Sequence, residues 1–312
     1  MRGVSYADGQ VKTSTLDSPK GEGVLVDVIS AGICGSDLHL LNGGTHSPHV
    51  AGHEISGMTS SGIPVAIEPI ISCKICESCA SGDYHLCKNN FQGIGMSING
   101  GMAEKIRVPE TCLVKLDPKI ILKDACLIEP LAVAYHGFIR TNTKSHHRIA
   151  VIGAGAIGLC AVAVAKFIGC DVDLHARYEH QAEAGKKLGA GNLNGVYDRV
   201  IDCVGTKETL KMSARSAKPG AWIVLLGIPI EGIQLPGLKV IMNEIKLFPS
   251  IMYGSSSGVK DFEQAAKILF KNPEIGNSLI THRFSLEDSK EAFDVARDKN
   301  SKCIKVVFDP KA

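Results

Sequence analysis

Hydrophobic and polar positions alternate in blocks through the middle of the chain. Apolar runs at 149–152, 199–205 and 221–227, together with DVDLHAR at 171–177, predict short buried strands. The segments HQAEAGKKLGA and KETLKMSARSA, which lie between them, have the composition and spacing of helices. Strands that alternate with helices in this way predict an α/β fold with a doubly wound parallel sheet.

A glycine-rich turn follows the first of these strands. Gly153, Gly155 and Gly158 form a G-x-G-x-x-G pattern, and a helical apolar stretch continues to Ile168. The first glycine permits a tight turn, the second lets the backbone approach a pyrophosphate, and the third allows close packing of helix on strand. The strand and helix around the pattern favour a dinucleotide site over an ordinary buried turn. The uncharged run at 149–165 is short for a membrane helix and is better explained by strand, turn and helix.

The end of the second strand bears on cofactor choice. NAD-binding folds usually carry an acidic residue there, and this chain has Ala176 and Arg177 instead. A guanidinium suits a 2′-phosphate, so NADP is favoured over NAD, although Glu179 is close in sequence and Arg177 could be a surface residue. Asp202 could lie near the nucleotide or be a structural carboxylate. The expected cofactor-binding residues are Gly153, Gly155, Ala156, Ile157, Gly158, Arg177 and Gly205.

Length and composition limit the class of protein. The 312 residues suggest two domains. A hydrophobic content of 45% and a net charge of +2 are typical of a soluble globular protein, without the dense basic run expected of a nucleic-acid partner. The polar N-terminus is unlike a secretory signal, and dispersed single cysteines indicate a reducing cytoplasm.

Four of the eleven cysteines are concentrated in CKICESCASGDYHLC. The C-x2-C-x2-C-x7-C spacing of Cys73, Cys76, Cys79 and Cys87 suits a closed tetrahedral zinc site that braces an irregular loop, in preference to a redox pair or an iron–sulfur cluster. Gly82 and its small neighbours favour a loop there rather than a helix.

Cys34, His53 and Glu129 are candidate ligands for a second metal. A thiolate, an imidazole and a carboxylate suit an open catalytic zinc site. The three are far apart in sequence, so composition alone favours a buried thiol and a satisfied histidine over a metal site.

Seven separated motifs resemble the zinc-dependent medium-chain alcohol dehydrogenase superfamily, in its polyol and sugar branch. They are AGICGSDLHLLNG, AGHEISG, the cysteine loop, EPLAVAYHG, VIGAGAIGLCAVAVAKFIG, AKPGAWIVLLG and ITHRFSLEDSKEAFD. The resemblance implies a mostly β GroES-like catalytic domain, at 1–131 and 254–312, split around a Rossmann domain at 132–253. It also implies a homodimer or homotetramer.

The same resemblance assigns roles to residues. It makes Cys34, His53 and Glu129 ligands of a catalytic zinc, gives two zinc ions per chain, and leaves open whether Glu54 or Glu129 binds the resting metal. Ser36 would take the substrate proton and pass it toward His39, and Asp37 would orient a ligand. His46, His49, Phe91 and Tyr253 could face substrate, though surface or packing roles are as good.

The expected function is NAD(P)-linked oxidation of a secondary alcohol, of a polyol or sugar, by hydride transfer. A carbonyl reductase of the same fold and a nucleotide-binding protein without catalysis are the alternatives. Two departures from the family pattern are a short hairpin, MTSSGIP, and a short loop, GAGNLNGVYDRV. Both shorten the chain without touching the zinc ligands.

Overall fold

A computed structural model describes residues 1–7, 9–43, 49–230 and 232–311. His46 lies outside these residues. The chain divides into two compact units, one formed by Met1–Glu129 with Gly254–Ala312 and the other by Pro130–Tyr253. Within the described ranges, no helix is both long enough and apolar enough to cross a membrane.

The first 129 residues are mostly strands. The strands are β1 (Arg2–Ala7), β2 (Gln10–Thr15), β3 (Val24–Gly32), β4 (Glu54–Thr59), β5 (Pro64–Ile67), β6 (Ile70–Ile71), β7 (Gln92–Gly93), β8 (Lys105–Val108) and β9 (Leu113–Lys115). The helices are α1 (Gly35–Asn42) and the single turn α2 (Glu77–Ala80), with 3₁₀ turns at Tyr84–Leu86, Glu110–Cys112 and Leu122–Leu127. The hairpin of β1 and β2 was not predicted from the sequence.

The second unit is a six-stranded parallel sheet with helices between its strands. Its elements are α3 (Ile128–Arg140), which begins in the first unit, then β10 (Arg148–Ile152), α4 (Ala156–Ile168), β11 (Asp171–His175), α5 (Glu179–Lys187), β12 (Gly191–Asn192), β13 (Tyr197–Asp202), α6 (Lys207–Ser216), β14 (Ala217–Leu225), α7 (Gly237–Met242) and β15 (Lys246–Pro249). The strand order β12-β11-β10-β13-β14-β15 is that of a Rossmann fold.

The chain returns to the first unit at Gly254. The elements of this return are β16 (Ser255–Ser256), β17 (Val259–Lys260), α8 (Asp261–Lys271), α9 (Glu274–Leu279), β18 (Ile280–Phe284), α10 (Ser289–Arg297) and β19 (Lys305–Phe308). Strands β18 and β19 complete a seven-stranded sheet in the order β18-β19-β3-β4-β5-β9, to which β8 adds by pairing with β3. The predicted α/β class, with a mostly β part and a doubly wound parallel sheet, is confirmed.

The edge between β3, β4 and β19 positions the chemistry of the first unit. Gly32 is the last residue of β3 and pairs with Glu54, the first residue of β4, while Val307 of β19 pairs with Gly32 from the other side. A Cβ atom on Gly32 would lie 1.9 Å from Glu54 Oε2. Only glycine therefore leaves room for the Glu54 carboxylate at this edge.

One local prediction needs correction. The cysteine-rich segment was expected to be an irregular loop, but it contains the helical turn α2 and a 3₁₀ turn. Each turn begins directly after a residue in a non-helical conformation, Cys76 and Asp83, and Gly82 between them has a φ of +91°. The positive φ at a glycine ends the first turn and lets the chain reverse toward Cys87.

Candidate active site and metal centres

Three potential metal ligands meet at the edge formed by β3 and β4. The ligand atoms of Cys34, His53 and Glu54 all lie within 4.8 Å of one another. Cys34 is half-buried, whereas His53 and Glu54 are 6% and 1% exposed. A thiolate, an imidazole and a carboxylate this close together form a donor set that zinc accepts.

Helix α1 fixes Cys34. This residue is the N-cap of α1, and its carbonyl oxygen accepts the backbone N–H of Asp37 at 3.1 Å. Oδ2 of Asp37 in turn accepts the backbone N–H of Cys34 at 2.8 Å. The two bonds fix the backbone that carries the Cys34 sulfur at the N-terminus of α1.

Asp37 also faces the imidazole of His53. Its Oδ1 lies 3.9 Å from His53 Nδ1, and neither atom has a hydrogen-bond partner among the described residues. Burial alone would lower the pKa of His53, but the charges of Asp37 and Cys34 outweigh it and raise that pKa well above its usual value. With Nδ1 turned to Asp37, Nε2 is the nitrogen left for a metal, and the donor set fits one.

Lys305 is the residue of this region that the sequence did not reveal. Its side chain is 4% exposed, and its ammonium group donates to Glu54 Oε1 at 2.7 Å, to Oε2 at 2.8 Å, and to the carbonyl of Ile33 at 3.1 Å. Both oxygens of Glu54 are therefore engaged by a cation in the present arrangement.

The remaining predicted residues of this site are dispersed. Glu129 is buried at the start of α3, and its charge contributes to raising the pKa of His53. It is not among the three described residues whose ligand atoms converge. Ser36 is half-buried and His39 is exposed, three residues apart on α1 and so on one face of it. His49 and Phe91, which were possible substrate contacts, are half-buried, and Tyr253 is buried in the second unit.

The four clustered cysteines form a second group. Their sulfur atoms lie within 4.8 Å of one another, with separations of 3.8 Å for Cys73–Cys79, 3.4 Å for Cys76–Cys79 and 4.0 Å for Cys76–Cys87. A tetrahedral zinc with Zn–S bonds of about 2.3 Å holds its sulfurs about 3.8 Å apart. The cluster fits such an ion and leaves no protein position open for substrate.

Backbone N–H groups support the thiolate form in this cluster. Cys73 N donates to Cys87 Sγ and Cys76 N to Cys73 Sγ, each at 3.4 Å. Hydrogen bonds from the backbone, that of Cys73 first, lower the pKa of Cys87 to about 6. Burial instead raises the pKa of Cys79 to about 11, so a bound cation would be needed to hold all four sulfurs as thiolates.

In the second unit, the glycine turn lies between β10 and α4. Gly153 has a φ of +95°, and a Cβ on Gly158 would lie 1.8 Å from Gly153 O. Gly155 is the N-cap of α4, and a Cβ there would face open space. The turn thus leaves a helix N-terminus open to a phosphate group, as a dinucleotide requires.

The neighbouring strand ends align with this turn. Ile152 pairs with His175 on one side and with Asp202 on the other, so Arg177 and Gly205 follow strands that end at the same level. Asp202 is fully buried and bonded by Val204 N, Gly205 N and Ser213 Oγ. The Asp202 carboxylate therefore stabilises the loop after β13, which is a structural role.

Comparisons with known proteins agree with this geometry. Residues 20–118 match the alcohol dehydrogenase GroES-like domain, and residues 123–309 match the glucose dehydrogenase C-terminus. The chain belongs to the zinc-dependent medium-chain alcohol dehydrogenase superfamily. The predicted family is confirmed, and this dehydrogenase is an oxidoreductase of the zinc-type, nicotinamide-linked class.

Similar proteins cover almost the whole length of the dehydrogenase. It is 27% identical to sorbitol dehydrogenase of Bacillus subtilis, over 98% of this chain and 96% of the relative. The structure of galactitol-1-phosphate dehydrogenase from Escherichia coli has a TM-score of 0.91 at 27% identity and covers 99% of this chain and 100% of that one. A zinc-binding dehydrogenase from Sinorhizobium meliloti, bound to NADP, has a TM-score of 0.88 at 27% identity, covering 99% of both chains.

Proposed function

We propose that this dehydrogenase oxidises a secondary alcohol group of a polyol or sugar with NADP⁺ as the hydride acceptor. The observation that carries the proposal is the convergence of Cys34, His53 and Glu54 within 4.8 Å. The polyol class is supported by two similar proteins, whose names specify sorbitol and galactitol-1-phosphate.

Glu129 is proposed as the carboxylate ligand of the resting metal, whereas Glu54 stays paired with Lys305 and does not bind the metal. Both oxygens of Glu54 are bonded to Lys305, so its charge is already compensated. Glu129 is buried and close enough to raise the pKa of His53. On this assignment Glu129→Ala lowers zinc binding at the catalytic centre more than Glu54→Ala does.

The chain's own residues would bind the substrate oxygen near Cys34 and remove its proton. A bound zinc supplies Lewis-acid polarisation of that oxygen, and the nicotinamide supplies the hydride acceptor. The half-buried Ser36 hydroxyl would accept the substrate proton as it passes its own proton on toward His39, one helical turn further along α1, which would release a proton to water. The exposure of His39 supports its place at the outer end of this path.

The segment directly after β11 supports NADP preference. The strand ends at His175 with no carboxylate, and the exposed guanidinium of Arg177 lies two residues later. Within β11, Asp173 Oδ2 is bonded to Tyr197 and Arg148, so that carboxylate is committed to the sheet. An arginine at this place, where NAD-binding folds usually carry an acid, favours a 2′-phosphate.

Two zinc ions per chain and a homodimer or homotetramer are the further parts of the proposal. The four-cysteine cluster and the Cys34 centre supply one metal site each. Strand β15 is an open edge of the parallel sheet, and Ile230, Leu238 and Ile241 are more than 70% exposed nearby in sequence. A second copy that covers them would remove an apolar surface and an unpaired strand edge. The reduced thiols favour the cytoplasm.

Zinc content and turnover together test the proposal. Protein purified without chelator should hold two zinc ions per chain and reduce NADP⁺ with a panel of polyols. Cys34→Ala should retain one zinc and bind NADPH normally, yet lose turnover. Turnover by Cys34→Ala would contradict the zinc mechanism. Nucleotide binding without turnover of any alcohol or ketone would instead support a non-catalytic role, and faster ketone reduction with NADPH would support the reductase alternative.

A further inference from the structure

Tyr6 is a buried phenol whose hydroxyl has no close partner. It lies on β1, is 1% exposed, and belongs to the main hydrophobic cluster of the first unit. Its ring contacts Phe293 edge to face, with centroids 5.6 Å apart. No described atom lies in hydrogen-bonding geometry with its hydroxyl oxygen. Burying a hydroxyl group without a hydrogen bond costs folding free energy, so the presence of one here calls for an explanation.

The phenol lies close enough to Asp37 for each group to affect the other's pKa. Burial, and then the neighbouring Asp37 charge, raise the pKa of Tyr6 far above its usual value. Burial also raises the pKa of Asp37, while the donor groups of His53, Cys34 and Tyr6 around it act in the opposite direction. The phenol and the carboxylate are therefore neighbours inside the same buried region.

Three buried polar atoms of these neighbouring residues have no hydrogen-bond partner within the described part of the chain. They are Tyr6 Oη, Asp37 Oδ1 and His53 Nδ1. The last two are 3.9 Å apart, which is too long for a hydrogen bond. The other oxygen of Asp37 is fixed by Cys34 N at 2.8 Å. One oxygen of Asp37 is thus anchored, and the other, which has no hydrogen-bond partner among the described residues, lies near the imidazole of His53.

We propose that Tyr6 is a positioning residue of the catalytic metal centre, through a chain from its hydroxyl to Asp37 and from Asp37 to His53. The phenol donates to Asp37 Oδ1 and keeps that carboxylate turned toward Nδ1 of the imidazole. His53 Nδ1–H then donates to Asp37, which fixes the tautomer with Nε2 free to bind metal. The inference rests on the proposed ligand roles of Cys34 and His53 and adds a residue that is not itself a proposed ligand.

Tyr6→Phe tests this by removing one oxygen and keeping the ring against Phe293. The measurement is the rate at which zinc leaves each of the two sites to a chromogenic chelator, with the visible spectrum of the cobalt-substituted centre as a second readout. We expect loss from the catalytic site to be about tenfold faster, at the low end of the effect of residues that orient metal ligands. Loss from the four-cysteine site should be unchanged. Tyr197→Phe is the matched control, because that buried phenol is bonded to Asp173 in the other unit.

Asp37→Asn completes a double-mutant cycle. If Tyr6 acts through Asp37, adding Tyr6→Phe to Asp37→Asn changes the zinc-loss rate little. Equal rates for wild type and Tyr6→Phe, or effects that simply add, would overturn the inference. Phe293→Leu loosens the packing of the Tyr6 ring while keeping the hydroxyl, so it should lower thermal stability without this loss of zinc. An unchanged zinc content in Cys34→Ala would refute the ligand assignment itself, and the role of Tyr6 with it.

Discussion

Both carboxylate oxygens of Glu54 accept hydrogen bonds from the ammonium group of Lys305, although the two residues are 251 positions apart in the sequence. Both are almost fully buried. Burial alone would lower the pKa of Lys305, but the charges of Glu54 and Cys34 outweigh it and raise that pKa. The last strand of the chain is thereby bonded to the side chain at the edge of the metal centre.

Replacing Lys305 by Met should destabilise the dehydrogenase by about 3–5 kcal/mol, because it leaves the buried Glu54 carboxylate without its partner. The measurement is the free energy of unfolding from urea titration. Glu54→Gln combined with Lys305→Met should recover part of the loss, since it removes the unpaired charge. Lys302→Met, an exposed lysine three residues earlier, is the control. A loss below about 1 kcal/mol, the level of an exposed ion pair, would show that the pair contributes little.

The pH dependence of this pair follows from the raised pKa of Lys305. A lysine whose pKa is higher in the folded state stabilises the fold fully below the unfolded pKa, about 10.4, and loses that contribution only as the pH rises through the folded value. The stability difference between wild type and Lys305→Met should therefore be constant from about pH 6 to about pH 9. A difference that shrinks within this window would contradict the pairing.

The cysteine cluster predicts a separate effect on stability. Cys79→Ser should remove one zinc per chain and unfold the lobe around α2, because the ion is its main cross-link. Elemental analysis measures the first consequence, and limited proteolysis within 73–87 measures the second. Cys303→Ser, outside both clusters, should keep the full zinc content. A Cys79→Ser protein with unchanged zinc would exclude the cluster as a metal site.

Local patterns in the sequence predicted most of the second unit. The strand, glycine turn and helix from Arg148 to Ile168 follow directly from residue type, because each feature needs only its neighbours. The predicted strand at 199–205 ends too late, since Asp202 is its last residue and its carboxylate accepts two N–H groups of the loop, those of Val204 and Gly205. That capping interaction depends on side-chain direction, which an apolar run does not reveal.

Partnerships across the chain were not predictable. The sequence around Lys305 predicts only an ordinary last strand. Its ammonium group reaches Glu54 because the strands of the sheet lie in the order β19-β3-β4. Tyr6 has the same character, because nothing near it in sequence indicates that its phenol lies close to Asp37. Motifs predict the ligand types of the proposed metal centres, whereas the groups around those candidate ligands depend on tertiary contacts.

Cofactor preference should change when Arg177 is replaced. Arg177→Ser removes the guanidinium proposed to bind the 2′-phosphate, a charged hydrogen bond worth roughly 1.5–3 kcal/mol. The ratio of kcat/KM for NADP⁺ to that for NAD⁺ should fall by about 10-fold to 100-fold. Lys186→Ser, on the exposed side of α5, should leave the ratio unchanged. Loss of activity with both cofactors alike would argue against a 2′-phosphate role.

Two glycines of the same turn should fail in different ways. A Cβ on Gly158 would meet the backbone oxygen of Gly153 at 1.8 Å, so Gly158→Ala must displace α4 from β10 and lower the free energy of unfolding by about 1–3 kcal/mol. A Cβ on Gly155 meets nothing within 4 Å, so Gly155→Ala should fold normally and weaken NADPH binding, because the methyl group occupies the approach to the helix N-terminus. Denaturant titration and fluorescence titration with NADPH separate the effects. Gly220→Ala, at a turn that also has open space but a φ of +73°, controls for simple backbone strain. If Gly155→Ala bound NADPH as tightly as wild type, the pyrophosphate would have to lie elsewhere, and the dinucleotide assignment of this turn would fail.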